Sequence, residues 1–500
     1  MTIALNCSGP DLRLSWITPS QFDHAFDQIG PVWRHAAKAM NDDASAVLAH
    51  APSAAPNNSD LGVMMAWTRL IQGQPVPEQA NAEINCPDPW LFRHFSGLPQ
   101  VQATGSRPGF WRLSLGLWLR GYAARLRFAW RTALACRQGQ ATKVENAAAM
   151  LVYDHPASTA AGHDAYFGPL LNHVPGLYRA LHVDAPASAG RRLHGSVSLH
   201  AWGSPFYALF CLPFAKWRPS AAVSRGAWGW LIRRAAALEG GTAQAAAIAW
   251  QIHCQARWLR AARPKVVTWP WENHGWERAL VRQARSLGLR TIGCQHSVVG
   301  QQFNMSNIAP DLLPDLIATN GPSAYRQLLE RDIPADRLVI AGSLRFTPSA
   351  GQNHDPAGPV FLAMPFDRRV AAQMIEAARP LSESGITVLV RDHPLFPVDF
   401  TATETLRRAP GPLQSSAGLR AVVYAATTVG LEALLAGLPV IRFIPSGCVA
   451  VDILPNSLRI PTADSAALVE TVLTARQPPP LRWSDIFSPP DMDFWRGQLT

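Results

Sequence analysis

From residue 148 to residue 443, apart from a mixed stretch over 195–264, the chain repeats one rhythm: a short β-branched or aromatic run, a polar turn, a helical segment, another apolar run. Alternation of this kind dictates parallel sheets, because parallel neighbours need a crossover long enough to hold a helix. AAMLVYDHP (148–156) opens the series as a strand ending in polar residues. A helical segment around 164–176 and the run YRALHVDAP (178–186) follow, and an Ala-rich helix is expected near 242–262. KVVTWPW (265–271), the helix HGWERALVRQARSLG (274–288) with Gly288 as its C-cap, and RTIGCQH (290–296) continue the pattern. DLIATN (315–320), GPSAYRQLLER (321–331) and RLVIAGSLRF (337–346) complete a first unit. TPSAGQNHDPAGP (347–359), rich in Pro, Gly and Asn, reads as a linker. The second unit holds VFLAMPFD (360–367), a helix at about 368–384, ITVLVRD (386–392), LRAVVYAA (419–426), the helix TVGLEALLAG (428–437) and LPVIRF (438–443). The expectation is an α/β fold of two Rossmann-like domains, 141–346 and 360–500, whose sheets face each other across a cleft.

Composition narrows the function classes. With 48% hydrophobic and 16% charged residues over 500 positions, the chain can bury a large core, which excludes wholesale disorder. Forty-five Lys and Arg against 35 Asp and Glu leave a net charge of +10. That excess suits an anionic partner, whether nucleotide phosphates, acidic lipid headgroups or nucleic acid, without choosing among them, and the partners expected from the motifs include no nucleic acid. Seven cysteines, scattered and without a CxxC pair, argue against a disulfide framework or thiolate zinc site and fit a reducing cytosol. The first residues, MTIALNCSGPDLRLSW, lack the basic and apolar succession of a signal peptide. Residues 195–215 carry no charge but are broken by Pro205, Pro213 and His200, and 421–441 carry Glu432 at their centre. A carboxylate at bilayer mid-depth is costly, so both stretches are expected in soluble core.

Residues 1–140 show no such alternation and read as a mostly helical N-terminal extension. Within it, 110–137 is a helical candidate with Arg112, Arg120, Arg125, Arg127, Arg131 and Arg137 and no acidic residue. Trp111, Leu115, Trp118, Leu119, Tyr122, Leu126 and Trp130 recur at three- and four-residue steps. An apolar stripe beside a cationic face suits an anionic membrane surface, and equally a core helix with solvated arginines.

In a parallel sheet, ligand groups gather on the loops at the carboxyl ends of the strands. Those loops hold Trp271-Glu272-Asn273-His274 and Gln295-His296-Ser297 in the first unit, and Asp367, Arg391-Asp392-His393-Pro394 and Thr427-Thr428 in the second. A phosphate can accept hydrogen bonds from His393 and the two threonine hydroxyls, with Arg391 adding fixed charge. One threonine is expected to cap the following helix, and Glu432, a turn further on, can accept from sugar hydroxyls. Transfer to a hydroxyl needs a group that takes its proton. Glu272, on the loop, is the first candidate, with His274 and Glu277 as the others.

The motifs WENHGWE (271–277), GCQHS (293–297), His393-Pro394 and TTVGLEALLAGLPVI (427–441) together resemble GT-B glycosyltransferases of a bacterial surface-carbohydrate biosynthesis family. More distantly the chain is similar to bacterial sialyltransferases and capsular Kdo transferases, which hold a CMP-sugar with an HP motif and a Ser/Thr pair. The likeness covers roughly 148–455. It implies the GT-B architecture and a nucleotide-sugar donor whose phosphate is held by His393, Pro394, Thr427 and Thr428, while Arg391 and Glu432 on the donor side and a catalytic residue among Glu272, His274 and Glu277 rest on the strand-end positions. It leaves Asn273, Gln295, His296 and Asp367 in the cleft without a role. It further implies a glycan or lipid-linked acceptor, no metal and no cofactor. A cytoplasmic location follows, peripheral on the inner face of the membrane through 110–137. Two departures stand out: the Asp/Glu-Asp-Gly triplet that carries the base in sialyltransferases is missing, and no Glu-x7-Glu occurs in the second unit. A CDP-glycerol-type phosphotransferase, a UDP-sugar 2-epimerase-like enzyme and a non-catalytic polysaccharide-assembly protein share enough of the pattern to stay open.

Overall fold

The computed structural model describes residues 3–6, 18–41, 44–53, 59–73, 82–86, 88–99, 101–104, 109–136, 147–192, 195–299, 309–348, 351–394, 396–455 and 458–500. Cys7, Arg137 and part of the 347–359 linker lie outside the described residues.

The N-terminal region holds a small parallel sheet, β1 (Ile3–Asn6), β2 (Ala82–Asn85) and β3 (Val101–Thr104), among helices. The first large sheet comprises β4 (Ala149–Val152), β5 (Tyr178–Leu181), β6 (Ser196–Ser198), β7 (Val266–Pro270), β8 (Arg290–Gln295), β9 (Leu316–Thr319) and β10 (Leu338–Ile340). Its spatial order is β10-β9-β8-β7-β4-β5-β6, parallel throughout. The second comprises β11 (Val360–Ala363), β12 (Val388–Arg391), β13 (Leu406–Arg408), β14 (Ala421–Tyr424), β15 (Val440–Phe443) and β16 (Thr462–Ala463), ordered β13-β12-β11-β14-β15-β16. Both orders wind outward in two directions from a central pair, β4/β7 in one sheet and β11/β14 in the other. That is the doubly wound arrangement, and it opens a ligand crevice at the carboxyl ends of each central pair. The fully buried strands Ala149–Val152, Val360–Ala363 and Ala421–Tyr424 read as unbroken apolar runs because helices cover both faces.

Local chemistry fixes the central loops. Gly430 lies in the first turn of Val429–Leu435, where an added Cβ would stand 2.7 Å from the Tyr424 ring, so only glycine lets this helix pack onto the end of β14. Asn273, at φ 61°, turns the chain between β7 and the helix Gly275–Ser286, a left-handed position that asparagine tolerates.

Four expectations need correction. The segment 164–176 is mostly irregular, with only Leu170–His173 helical; Asp164 is buried there and paired at 2.9 Å with the buried Arg179. Residues 195–215 are not all core: Phe206, Phe210 and Phe214 stand in solvent on Pro205–Cys211 and the turn after it. In the helix Gly109–Ala135, Arg125 is buried and the Trp and Leu stripe is exposed. Its buried seam is Gly121, Arg125, Ala129, Thr132 and Ala133, because Arg125 donates to the Pro213 carbonyl at 2.9 Å and to the Gly241 carbonyl. Lastly, the second unit does not keep the chain to residue 500. The helix Met492–Leu499 returns to the first sheet, where Trp495 and Leu499 pack with Met150, Phe167 and Leu170.

The extension is not a detached module. Its helices share one core with Trp217, Leu231, Ile232 and Ala235. Asp23 also reaches the second sheet, accepting two hydrogen bonds at 2.7 Å from the nearly buried Arg442. Among the described residues, no helix is long and apolar enough to cross a membrane.

Candidate active site

The carboxyl ends of β4 and β7 bring Asp154-His155 and Glu272-Asn273-His274 to one crevice, and β8 adds Gln295-His296 beside it. Glu272 Oε2 lies 2.9 Å from His274 Nε2, and its other oxygen is 3.8 Å from His296 Nε2. Its side chain is 40% exposed, so solvent or substrate can reach it. Burial alone would raise its pKa. The hydrogen bond and charge of His274, then the charges of His296 and Arg345, outweigh burial and hold it at about 2. Burial acts against protonation of His274, but Glu272 prevails and moves that imidazole upward. The carboxylate and the imidazole pair across 2.9 Å. Burial dominates at His296, lowering it to about 4, so this ring is neutral.

Glu277 does a different job. It is nearly inaccessible and accepts from the backbone N–H of Glu272 (3.1 Å), Asn273 (3.0 Å) and His274 (3.1 Å) and from Trp269 Nε1 (2.9 Å). Both oxygens are engaged in holding the loop, a structural part that stands beside its candidacy as a catalytic base. Burial pushes its pKa up to about 7 against the pull of His274 and these donors. Asn273 is likewise architectural, accepting from Arg278 Nε at 3.1 Å. Arg278 in turn donates to Asn41 Oδ1 and to the Ser53 carbonyl, which ties the N-terminal extension to this loop.

Three buried polar atoms of this crevice have no hydrogen-bond partner among the described residues: His274 Nδ1, His296 Nδ1 and Gln295 Oε1. Buried polar atoms are normally satisfied, so such a cluster is a set of handles for a ligand. Gln295 uses its amide nitrogen on the Ser297 carbonyl at 3.3 Å.

Across the cleft, β11 and β14 supply Asp367 and Thr427-Thr428, and β12 ends in Arg391 followed by His393-Pro394. Asp367 caps the helix Arg368–Glu383 through the Arg369 N–H at 2.8 Å and pairs with the Arg369 guanidinium. Neither threonine caps the helix it precedes. The Thr428 hydroxyl instead donates to Glu432 Oε1 at 3.4 Å, and Gln414 donates to the other oxygen at 3.2 Å. Arg391, His393, Thr427, Thr428 and Glu432 are half-buried and Pro394 is exposed. Burial lowers the pKa of His393, and His155 from the opposite unit lowers it further. A pocket of about 340 Å³ also spans the units, lined by Arg345, Phe346 and Thr347 on one side and Gln414, Glu432 and Trp483 on the other.

Sequence reading missed Arg345, Tyr166 and His50. Tyr166 packs edge-on against His296 at 5.2 Å, and His50 against His274 at 5.5 Å. Arg345 ends the first unit and carried a signal, since it follows the last strand of that sheet. The other two lie where no strand-end rule applies. Among the described residues, no group of three or more His, Cys, Asp or Glu is arranged to hold a metal ion. The chain's Asp-x-Asp, Asp491-Met492-Asp493, serves the last helix: Asp491 accepts from the Phe494 N–H and Asp493 pairs with Arg496.

No protein-family model and no curated protein matches the chain. Among solved structures it is similar to UDP-N-acetylglucosamine 2-epimerase from Rickettsia bellii, at 10% identity over 70% of this chain and 93% of that one, with a TM-score of 0.39. It is also similar to the calicheamicin glycosyltransferase CalG4 (12% identity, 66% and 90% covered, TM-score 0.39). A third is the glycosyltransferase SnogD from Streptomyces nogalater (14% identity, 66% and 91% covered, TM-score 0.38). Likeness this remote leaves the chemistry to be read from the site.

Proposed function

We propose that this protein is a metal-independent glycosyltransferase that moves a sugar from a nucleotide-sugar, with a CMP-sugar favoured, to a surface polysaccharide or lipid-linked glycan. The observation that carries the reading is the pair of crevices. An accessible carboxylate paired with a histidine faces, across one cleft, a loop set of Arg391, His393, Thr427, Thr428 and Glu432. Transfer breaks the sugar–phosphate bond and forms a glycosidic bond to an acceptor hydroxyl, whose proton must be taken up.

The 3.8 Å gap between Glu272 and His296 is one a hydroxyl can bridge, and Glu272 then receives the proton. A carboxylate held near pKa 2 is a weak base in the resting site. An acceptor that displaces His274 from it would raise its basicity when the bond forms. Arg391, the N–H of His393 and the threonine hydroxyls neutralise the departing phosphate, and Glu432 holds donor sugar hydroxyls. The preference for CMP rests on the His-Pro and Thr-Thr resemblance. The same reading places the enzyme in the cytoplasm, on the inner face of the membrane through 110–137.

Binding of CMP, UDP and GDP, followed by calorimetry on wild type, His393→Ala and Thr427→Ala/Thr428→Ala, tests the donor side. Each variant is expected to lose on the order of 1.5–3 kcal/mol of nucleotide affinity. Unchanged affinity in both removes the assignment. Labelled nucleotide-sugars then separate the chemistries: an altered sugar formed without acceptor indicates an epimerase, and transferred glycerol phosphate a phosphotransferase.

A further inference from the structure

We infer that the helix Gly109–Ala135 and the neighbouring Pro205–Phe214 segment form one docking face for an anionic lipid bilayer. This deepens the peripheral location proposed above, and it assigns part of the contact to a segment that the sequence reading placed in the core.

Trp111 is 78% exposed, Phe206 70% and Trp130 61%, and Leu115, Trp118, Leu119, Leu126, Leu134, Phe210 and Phe214 are all at least 46% exposed. Ten large apolar side chains in solvent on two adjoining elements are far more than the scattered exposure of an ordinary surface. The elements are joined physically. Arg125 holds the Pro213 carbonyl at 2.9 Å, the rings of Tyr122 and Phe214 lie 6.0 Å apart, and Trp118 stacks on Tyr122 at 5.8 Å. Phe206 and Phe210 form their own ring pair at 4.6 Å. The face therefore has fixed shape.

Charge selects the occupant. Between Asp88 and Glu145, and again between Asp184 and Glu239, the sequence contains no acidic residue. Arg112, Arg120, Arg127 and Arg131 are exposed on the helix, and Arg218 is exposed just beyond the phenylalanines. A second copy of the chain seated on this face would set arginines against arginines. An anionic leaflet supplies countercharge for the arginines, a headgroup zone for tryptophan and hydrocarbon for Phe and Leu. Arg125 takes no part in lipid contact, since the protein's own carbonyls consume it.

The test is co-sedimentation of the full chain with vesicles of phosphatidylcholine mixed with phosphatidylglycerol, and with phosphatidylcholine alone. Wild type is expected to bind the mixed vesicles. Phe206→Ser/Phe210→Ser/Phe214→Ser leaves the arginine helix untouched and should weaken that binding about tenfold or more, with an unchanged melting temperature. Should the triple variant unfold, Phe206→Ser alone is read, with a severalfold loss. Arg112→Glu/Arg120→Glu/Arg127→Glu/Arg131→Glu should abolish the preference for phosphatidylglycerol. Wild-type binding by the phenylalanine variants would overturn the two-element face. So would a wild type that ignores both vesicles but sediments as a dimer that the triple variant dissociates. Vesicle binding needs no donor or acceptor, so loss of the transferase reading would leave this result standing, and the reverse.

Discussion

Glu272 and Glu277 are five residues apart, and their neighbours divide the work between them. One oxygen of Glu272 pairs with His274 and the other lies 3.8 Å from His296. If Glu272 takes the acceptor proton, Glu272→Gln should keep nucleotide affinity and lower transfer by roughly 10²–10⁴-fold, measured under saturating donor. Glu277→Gln should act on folding instead. An amide offers one acceptor oxygen where the carboxylate serves four N–H groups, and the orphaned donors cost on the order of 1–3 kcal/mol. The pH dependence separates the two residues further. The folded pKa of Glu277 is raised, so the folded protein holds that proton more tightly than the unfolded chain. The stabilisation is full below about pH 4.5 and is lost as pH rises toward about 7. Glu277→Gln lacks this loss, so the gap in melting temperature between wild type and variant should narrow from pH 5 to pH 8. A gap that widens would mean that the loop amides, not burial, set the acidity. The position of Glu272 was legible in the sequence because an acid directly after a strand falls at the carboxyl end of the sheet. The assignment of Glu277 was not, because helical spacing places it in the first turn without saying that Trp269 and three amides face it. His50 and Tyr166 gave no signal, as their approach to the histidine pair is made by tertiary packing of segments without strand rhythm.

At the scale of elements, the sheet cores were readable and the faces of surface helices were not. Unbroken apolar runs such as Ala421–Tyr424 admit one interpretation between a linker and a turn, whereas edge strands such as Leu406–Arg408 and Thr462–Ala463 are too short and polar to show themselves. The helix Gly109–Ala135 is instructive, since a Trp and Leu stripe normally marks the buried side. Here the protein is met by small residues, and the one large group among them is a cation. Gly121 sits at that seam against the Gly241 backbone, where a side chain would collide. Arg125→Leu should therefore destabilise the fold by about 1–3 kcal/mol, because the Pro213 and Gly241 carbonyls lose their donor. Arg127→Glu, on the exposed side, should leave the melting temperature within a degree or so of wild type, since surface substitutions rarely exceed about 0.5 kcal/mol. Comparable melting losses in the two variants would place the buried seam elsewhere.

The whole molecule is held together by chain that crosses between its units. The Ser488 N–H donates to the Asn320 carbonyl at 3.0 Å, the Ser343 N–H to the Ser488 carbonyl at 2.8 Å, and the Asp491 N–H to the Ala341 carbonyl at 3.0 Å. Gly342 is required in this strap, because its φ of 77° and the closeness of Pro489 leave no room for a side chain. The sequence could not show the crossing, since the Pro-rich stretch after residue 476 has no period and its destination is set by a groove made from Phe167, Leu170 and Met150. Trp495 fills that groove with no exposed surface. Trp495→Ala should cost about 3–5 kcal/mol, the range for emptying a buried aromatic site. The loss belongs to the first sheet although the residue lies more than 130 positions beyond it. Hydrogen exchange can locate it: protection should fall at Ala149–Val152 and Leu170–His173 and persist at Val360–Ala363 and Val422–Val423. Because the strap also carries Ile486 and Phe487 into the core around Leu431 and Leu434, loosening it should make the two halves of the cleft less well fixed. On the proposed transferase reading, with the nucleotide on the second unit and Glu272 opposite the donor, nucleotide affinity should then change less than transfer. Loss of protection confined to Val360–Ala363 and Val422–Val423 would show that the tail belongs to the second unit alone and straps nothing.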